Sequence, residues 1–396
     1  MRLAGRHYDH GQPVWIEIND GLITDISAWH GNEGHGTEAA SLPWVAPGLV
    51  DLQVNGFGGV EFTDSQLTVE AVQHISLALD RDGVTTFLPT VVTQSIAVHT
   101  HVLRTIADAI ETCPRVRQRV AGIHLEGPYI SAEEGPRGAH PLEHCRPPDW
   151  DEFQRLQDVA RGHIKLITLS PEFPGATDFI RRAVASGVLV SVGHTNATCD
   201  QIRAAVDAGA RMSTHLGNGA HAYIHRHVNY IWEQLAEDRL IATLIADGHH
   251  LPPSVVKSLV RGKTPERVVL ISDITGIAGA EGTEPGFYQH ASLGRVEVLD
   301  DGRAVVAGQR EYLAGATQPL HVGVANVMRL SGVTLSAAID MASTRPASLL
   351  GCRCGRLTPG YAADLIQFHM PAGGRGLQIV ATIKAGECVA GSACGE

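Results

Sequence analysis

Three residues of types that bind metal ions each stand at the end of a short apolar run. His194 ends the run in "LVSVGHT", His215 ends the run in "RMSTHL", and Glu126 ends the run in "AGIHLEGPY". Two imidazoles and one carboxylate form a ligand set typical of catalytic zinc sites, where a further coordination position stays open for water. These residues therefore predict a metal-assisted hydrolase.

Asp273 ends a fourth apolar run, in "RVVLISD", and it has two functional interpretations. It is either a further metal ligand or a carboxylate that takes a proton from water and returns it to the leaving group. A metal ion lowers the pKa of bound water to about 7, so a nearby carboxylate can act as the base at neutral pH, and we favour this second role. The structural alternative is an aspartate that caps the following "ITGIAG" loop.

A structural alternative also applies to the other residues. The chain contains 21 histidines, and most of them must be ordinary core or surface residues. Glu126 has a helix-capping or ion-pairing alternative. His194 and His215 differ from the other histidines because they end consecutive strand patterns and are followed by small or polar residues, which favours the metal-binding interpretation.

The fold that must position these residues is predicted from eight short β-branched or apolar runs between Pro47 and about residue 345. The runs are "LVDLQV", "TTFLPT", "VAGIHLEG", "IKLITLSPE", "LVSVGHT", "RMSTHL", "IATLIADG" and "RVVLISD". Apolar strands separated by helical patterns such as "TDFIRRAVASG" predict an α/β protein with parallel strands, and eight of them predict a closed (β/α)8 TIM barrel. Active sites of this fold lie at the carboxyl ends of the strands, so the polar strand ends are expected to converge.

The regions outside the barrel predict a second domain. Turn-rich strand patterns occupy residues 1–46 and the tail 354–396, whereas 47–353 carries the barrel. We expect both termini to form one small β-sandwich domain. Gly83, Gly187 and Gly209 each follow a helical pattern, where a left-handed helix end is expected.

Composition limits the partners. Acidic residues (42) outnumber basic ones (31), which gives a formal net charge of -11. No Lys/Arg cluster follows a helix face, so nucleic acid is not an expected partner.

The start of the chain lacks the apolar stretch of a secretory signal, and no apolar run is long enough to span a membrane. We expect a cytoplasmic protein whose seven cysteines are mostly reduced and do not form a Cys352–Cys354 metal site.

Several motifs, in order along nearly the whole chain, carry a family resemblance. They are "APGLVDLQVNG", "HLEGPYIS", "RGAH", "GHTNAT", "THLGNGA", "ADGHH", "SDITGIAG" and "GRLTPGYAADLIQF". Together they resemble the N-acetylglucosamine-6-phosphate deacetylase family of the amidohydrolase superfamily. The resemblance implies metal-dependent removal of acetate from N-acetylglucosamine 6-phosphate, which yields glucosamine 6-phosphate in amino-sugar catabolism.

The resemblance also implies roles for particular residues. It assigns Glu126, His194 and His215 to the metal, Asp273 to acid/base catalysis and His140 to the acetyl carbonyl. It implies a phosphate site at the loop after the sixth strand and at an arginine beyond it. Further substrate contacts are implied at matching positions. The substrate residues are Ala139, Asn218, Gly219, Arg226, His250, Ala314 and Gly315.

The first strand carries Gln53 and Asn55 where many amidohydrolases carry two histidines for a second metal. We therefore expect one divalent ion, with zinc (Zn2+) as the default, although Fe2+, Mn2+ or Co2+ suit the same ligands. The family is commonly dimeric near its substrate sites, so the resemblance implies a homodimer that involves the segment 221–227.

Two residues depart from the family pattern. Members carry an aromatic residue and a methionine in "HL-aromatic-NAM", where this chain has Gly217 and Ala220. The loss of a large side chain is expected to open space near the substrate. Two alternatives therefore stay open: a deacylase of another N-acyl compound (an N-acetylgalactosamine phosphate, an unphosphorylated amino sugar or an N-acyl amino acid), and a ligand-binding protein that has kept the barrel without the activity.

Overall fold

The structure, a computed structural model, describes residues 1–30, 41–280, 284–370 and 376–391. The strands are β1 (Arg2–His7), β2 (Pro13–Asn19), β3 (Leu22–Ala28), β4 (Trp44–Pro47), β5 (Leu49–Val54), β6 (Gly56–Phe57), β7 (Val60–Glu61), β8 (Val84–Val92), β9 (Ile123–Glu126), β10 (Ile164–Leu169), β11 (Leu189–Val192), β12 (Met212–Ser213), β13 (Ile241–Ile245), β14 (Val268–Ile271), β15 (Gly286–His290), β16 (Gly294–Val298), β17 (Ala304–Val306), β18 (Gln309–Leu313), β19 (Leu365–His369), β20 (Gln378–Lys384) and β21 (Glu387–Gly391). The α-helices are α1 (Val69–Ala78), α2 (Ile96–Thr112), α3 (Pro114–Arg119), α4 (Trp150–Val159), α5 (Ala176–Ala185), α6 (Cys199–Asp207), α7 (Tyr230–Ala236), α8 (Pro253–Lys263), α9 (Leu320–Ser331), α10 (Leu335–Ala342) and α11 (Thr344–Leu349). Short 3-10 helices cover Leu79–Asp82, Leu142–His144 and Pro265–Arg267.

All eight predicted apolar runs are strands of one parallel sheet. Its order is β14-β13-β12-β11-β10-β9-β8-β5, and each strand is separated from the next along the chain by helical segments. The predicted α/β fold with a TIM barrel is confirmed.

Side-chain caps help to start three of the helices. Thr68 caps α1, Ser95 caps α2 and Thr198 caps α6. Each side chain accepts a backbone N–H of the first turn, which has no partner within the helix.

The barrel closes where the last strand meets the first. The N–H of Asp273 donates to the carbonyl of Gln53 (3.0 Å), and the N–H of Asn55 donates to the carbonyl of Ile274 (2.8 Å). Val54 and Ile274 form a parallel bridge at the same place. This closure brings the polar residues after β5 and β14 together at the carboxyl ends of the strands.

Strands from both ends of the chain form a separate sheet of order β21-β20-β19-β4-β1-β2-β3. Apolar side chains from β1, β2, β19 and β20 pack into a core of their own, which includes Leu3, Ile16 and Ile383. The prediction of a small β domain from both termini is therefore confirmed. Its limits, 1–46 and 354–396, stay a prediction, and the parts of them at 31–40, 371–375 and 392–396 lie outside the described residues.

A four-stranded antiparallel sheet, β15-β16-β17-β18, interrupts the barrel sequence between β14 and α9. None of the sequence patterns described above predicted this sheet. Val296 and Ala304 pack with Ala314 in a small apolar cluster of this sheet, so the insertion has its own core. We call this sheet the insertion sheet.

The structure bears on three predictions: the membrane segments, the state of the cysteines and the conformation of three glycines. Within the described residues, no helix combines the length and apolar character that crossing a membrane requires. Cys113, Cys145, Cys199, Cys352 and Cys354 are free thiols, whereas Cys388 is disulfide-bonded, so most of the described cysteines are reduced. Gly83, Gly187 and Gly209 have φ values of 76°, 83° and 117°, so the predicted positive φ is confirmed at all three.

Arg119 and Asp80 form a buried ion pair between the end of α3 and the first 3-10 helix. Two guanidinium nitrogens donate to the two carboxylate oxygens at 2.8 Å each, and the side chains are only 1% and 3% exposed. Removal of one partner leaves an unpaired buried charge, so we expect Arg119→Ala to lower the free energy of unfolding by about 3–5 kcal/mol. Urea unfolding followed by tryptophan fluorescence measures the change.

Arg161→Ala is the matched control, because Arg161 pairs with Asp108 and Glu111 at the surface with 40% of its side chain exposed. We expect it to change stability little, since exposed pairs are weak. Equal stability of the two variants would contradict the structural importance of the Arg119–Asp80 pair.

Candidate active site

The residues that close β11, β12 and β14 share an unusual backbone conformation. His194, His215 and Asp273 have φ values of 50°, 30° and 54°, in the left-handed region that residues other than glycine seldom adopt. Such conformations cost of order 1–3 kcal/mol each and persist where the surrounding structure requires them. All three side chains line one cavity at the carboxyl ends of the strands, so the strained turns serve to direct functional groups.

Glu126, His194 and His215 bring three donor atoms together. Oε1 of Glu126 lies 3.3 Å from Nε2 of His194 and 3.0 Å from Nε2 of His215, and the two Nε2 atoms are 3.1 Å apart. Ligands bound to zinc at about 2.1 Å in a tetrahedron are about 3.4 Å apart, so this donor set fits one small cation. Burial opposes ionisation of Glu126, but the two neighbouring imidazoles outweigh it and hold the pKa of this carboxyl well below its ordinary value.

The hydrogen bond on the other side of His194 supports this interpretation. Its Nδ1 lies 2.8 Å from the carbonyl oxygen of Pro136, which accepts a hydrogen and so fixes the proton on Nδ1. In the neutral imidazole, the lone pair is then on Nε2, the atom that faces Glu126 and His215. Metal-binding histidines commonly use their second nitrogen in this way.

His140 is a fourth candidate for the same cluster. One donor atom from each of Glu126, His140 and His194 lies within 4.8 Å of the others, and the His140 ring contacts the His194 ring edge-to-face at 4.4 Å between centroids. Burial lowers the pKa of His140 to about 3, and its buried Nδ1 has no hydrogen-bond partner. Distance alone therefore allows His140 to bind either an ion or a substrate oxygen.

Two amides of the first barrel strand hold Asp273. Nε2 of Gln53 donates to Oδ1 of Asp273 (2.9 Å) and to Oε1 of Glu126 (3.0 Å). Nδ2 of Asn55 donates to the same Oδ1 at 2.7 Å. Burial, and then the negative charge of Glu126, raises the pKa of Asp273. The arrangement therefore places a second carboxylate beside the donor cluster but anchors it to amides.

The cavity that contains these groups has a volume of about 420 Å³. It brings together nearly all the residues that the sequence analysis selected. Lining it are Glu126, Ala139, His140, His194, His215, Asn218, Gly219, His250, Asp273, Ala314 and Gly315. His250 is anchored there, because its Nδ1 lies 2.7 Å from Oδ2 of Asp247.

Arg226 does not line this cavity, so the expectation that it shares the site is not met within this chain. The segment before α7 carries Arg226 to the surface, where its carbonyl accepts the indole N–H of Trp232 (3.1 Å). Asn229 caps α7 and donates to the carbonyl of His225, which fixes this course of the chain. Neither lysine nor arginine lines the cavity among the described residues.

Gly217 and Ala220, the two departures from the family pattern, both line the cavity. A Cβ atom at Gly217, whose φ is 102°, would lie 3.1 Å from Leu251 and 3.5 Å from Leu259, so it would point at packed leucines. The backbone N–H of Asn218 also donates to the carbonyl of His215 (2.9 Å). The backbone N–H of Asn218 is therefore not free to bind phosphate.

Several cavity residues were missed by the sequence analysis. They are Glu61, Thr63, His221, Thr275, His290, Ser292 and Leu293. Glu61 and Thr63 follow the first barrel strand, so their position after a strand end was an available signal. His290, Ser292 and Leu293 belong to the insertion sheet, whose alternating patterns "GFYQH" and "GRVEV" indicate strands but not where they dock.

A closed parallel barrel with two imidazoles and a carboxylate at its carboxyl ends is the arrangement of a barrel hydrolase with a candidate metal centre. Residues 44–389 match the amidohydrolase family. A deacetylase of N-acetylglucosamine 6-phosphate from Bos taurus is 33% identical, over 87% of this chain and 83% of its own length. A deacetylase of N-acetylgalactosamine 6-phosphate from Escherichia coli O157:H7 is 35% identical, over 81% and 82%.

A solved structure agrees with these relatives. A mutant of the N-acetyl-D-glucosamine-6-phosphate deacetylase from Mycobacterium smegmatis, in complex with N-acetyl-D-glucosamine 6-phosphate, superposes with a TM-score of 0.85 at 29% identity, over 98% of this chain and 99% of that chain. This chain belongs to the amidohydrolase family, in the branch that contains the N-acetylglucosamine-6-phosphate deacetylases.

Metal content distinguishes the three candidate histidine ligands. We expect His194→Asn and His215→Asn to lose most of the bound metal, because each removes one of three donors within 3.3 Å of one another. We expect His140→Asn to keep it. Elemental analysis of the purified variants gives the stoichiometry, and metal loss in His140→Asn alone would reassign the ligand set.

Proposed function

We propose that this protein hydrolyses the N-acetyl amide of N-acetylglucosamine 6-phosphate to glucosamine 6-phosphate and acetate. The observation that carries the proposal is the convergence of Glu126, His194 and His215 with Asp273 in one cavity. The relatives and the Mycobacterium smegmatis structure, which carry this activity or this ligand in their names, support the choice of substrate.

We infer that Glu126, His194 and His215 hold one divalent ion, with zinc as the first candidate because two imidazoles and a carboxylate suit it. The same ligands suit Fe2+, Mn2+ or Co2+. When bound, the ion supplies Lewis-acid polarisation of the carbonyl and a water of lowered pKa. Gln53 and Asn55 are engaged as amide donors to the carboxylates, which supports a single ion.

The chain's own residues supply the remaining chemistry. Asp273 accepts a proton as the water oxygen bonds to the carbonyl carbon, and it then gives that proton to the amide nitrogen as the C–N bond breaks. The second proton of the water also ends on the amine nitrogen, so acetate and the protonated amine are the products, and atoms and charge balance. His140 donates a hydrogen bond to the acetyl oxygen and orients the carbonyl, while Gln53 and Asn55 keep Asp273 in reach.

For the rest of the substrate we propose Asn218 and Gly219 near the phosphate, with His250, Ala139 and the backbone of Ala314 and Gly315 around the sugar. The Asp247 carboxylate fixes the hydrogen on Nδ1 of His250, which leaves Nε2 for the ligand. Arg226 would have to reach the phosphate from outside the cavity of its own chain, and a homodimer is the assembly that allows this.

Exposed apolar side chains near this segment support a homodimer contact. Tyr223, within the predicted contact segment 221–227, is 95% exposed, and Val228, directly after it, is 65% exposed. Five free thiols favour a cytoplasmic location, because disulfides are rare in the reducing cytosol, whereas the disulfide-bonded Cys388 counts against it. The homodimer and the cytoplasmic location are both part of the proposed function.

One relative favours a second candidate substrate. The Escherichia coli O157:H7 protein, which is at least as similar as the others, is a deacetylase of N-acetylgalactosamine 6-phosphate. The two sugars differ only in the configuration at C4, which the metal cluster and Asp273 do not need to contact. The deacetylation chemistry is therefore common to both candidates.

Amine release from four substrates tests the proposal. The substrates are N-acetylglucosamine 6-phosphate, N-acetylgalactosamine 6-phosphate, N-acetylglucosamine and N-acetylglycine. We expect the first to give the highest kcat/KM. Arg226→Ala is expected to raise KM for phosphorylated sugars about tenfold or more, since a charge-assisted hydrogen bond is lost, with no change for N-acetylglucosamine.

The exposed Arg261 of α8 provides the charge-matched control, and Arg261→Ala is expected to leave all KM values unchanged. A preference for the galactose epimer would select the second candidate. Equal losses on phosphorylated and neutral sugars in Arg226→Ala would contradict phosphate recognition by Arg226.

Asp273→Asn separates catalysis from metal binding. The amide is nearly isosteric but cannot relay a proton, so we expect kcat to fall by about 10²–10⁴-fold with the metal content unchanged. Steady-state kinetics and elemental analysis on the same preparation make the comparison. Loss of the metal together with activity would make Asp273 a ligand instead.

A further inference from the structure

The insertion sheet reaches the cavity through the turn between β15 and β16. Ser292 and Leu293 at this turn line the cavity, as does Leu313 at the end of β18. A hydroxyl beside two leucines offers both a hydrogen-bonding group and an apolar surface, which is the combination that a sugar ring requires of its binding wall. We call residues 290–293 the hairpin tip.

His290 organises the hairpin tip. The backbone N–H groups of Ser292 and Leu293 both donate to its Nδ1, at 3.3 Å each. Nδ1 is therefore the acceptor, and in the neutral ring the hydrogen is on Nε2. That atom makes a close contact of 2.8 Å with Oε1 of Glu61, without hydrogen-bond geometry, and the two side chains are only 4% and 9% exposed.

Glu61 is itself held between two strand ends of the barrel. The N–H of Gly276 donates to Oε1 of Glu61 at 2.6 Å. A Cβ atom on Gly276 would lie 2.9 Å from Oε1, and one on Gly56 would lie 2.7 Å from Oε2, so both glycines leave room for the carboxylate. Gly56 follows Asn55 and Gly276 lies three residues after Asp273, which ties Glu61 to the segments that carry these groups.

Glu61 and His290 also lie between two cavities. Glu61 and His290 line the main cavity of about 420 Å³ and, on another side, a cavity of about 210 Å³. Release of the hairpin tip would therefore change the shape of the main cavity and join it to the smaller one.

We propose that Glu61 and His290 are positioning residues that dock the hairpin tip onto the barrel, so that Ser292 and Leu293 form a substrate-binding wall. The inference rests on the proposed function to the extent that the main cavity binds the sugar. Neither side chain takes part in bond breaking. Their loss affects substrate binding more than the chemical step, because the groups around Asp273 keep their own hydrogen bonds.

A double-mutant cycle on the whole, metal-loaded protein tests whether Glu61 and His290 dock the hairpin tip. Glu61→Ala and His290→Ala are each expected to raise KM for N-acetylglucosamine 6-phosphate about tenfold, the size expected when a buried charged group loses a polar partner, with kcat within about threefold. The double variant is expected to raise KM by much less than the product of the single effects, because each residue acts through the other. Glu61→Gln should restore most of the affinity, since its amide oxygen still accepts from the N–H of Gly276 and still lies against Nε2 of His290.

A second measurement does not depend on activity. Amide hydrogen exchange over residues 286–298 is expected to speed up in both alanine variants but not in Glu61→Gln, with the metal content unchanged. Arg303→Ala is the control in the same sheet, because Arg303 pairs with Asp301 at the surface, and it should alter neither KM nor exchange.

The outcomes separate the two proposals. Unchanged exchange in the alanine variants, or strictly additive KM effects, would overturn the positioning role. If the wild-type protein hydrolyses no N-acetyl sugar phosphate, the proposed function fails. Faster exchange in both alanine variants would then still support docking of the hairpin tip by Glu61 and His290.

Discussion

Two carboxylates near one another at the end of the barrel impose the main physical constraint on this protein. Glu126 is 2% exposed, and burial, followed by the charge of Glu126, raises the pKa of Asp273. Buried like charges are unfavourable unless hydrogen bonds or a cation compensate them. Gln53 donates to both groups from one Nε2 atom, and the imidazoles of His194 and His215 surround Glu126. A divalent ion at this donor set would supply the remaining positive charge, which gives the site a physical reason to bind one.

The same constraint links catalysis to the closure of the barrel. Asp273 lies just beyond the last strand, whereas the amides that hold it come from the first. The seam places them in register, because the N–H of Asp273 donates to the carbonyl of Gln53 and the N–H of Ser272 donates to Oδ1 of Asp51 (3.2 Å). Burial raises the pKa of Asp51 to about 7, so this seam also carries a poorly solvated carboxyl. Amide side chains at Gln53 and Asn55 therefore orient the proposed base, where a second metal would require imidazoles.

The sequence predicts the barrel and the donor cluster because both depend on local patterns. An apolar run that ends in His194 or Glu126 indicates a strand and its carboxyl end together, and parallel strands bring such ends to one face. The position of Arg226 depends instead on the Asn229 cap and on the contact with Trp232, which are specific to the folded segment. The insertion sheet has visible alternation, but its docking depends on the long-range pair of Glu61 and His290. Loop direction and docking are thus the parts that sequence patterns do not predict.

The loop after β12, where Gly217 and Ala220 depart from the family pattern, has two roles. It lines the cavity at Gly217, Gly219 and Ala220, and it is tightly packed: a Cβ atom at Gly217 would point at Leu251, and a Cβ atom at Gly219 would lie 2.8 Å from Nδ1 of His194. Gly219, with φ 55°, therefore lets the backbone approach the proposed metal ligand directly. Differences in substrate choice from the relatives are then to be sought in the cavity wall at these small residues, at His221 and at the hairpin tip, because these groups face the cavity from outside the donor cluster.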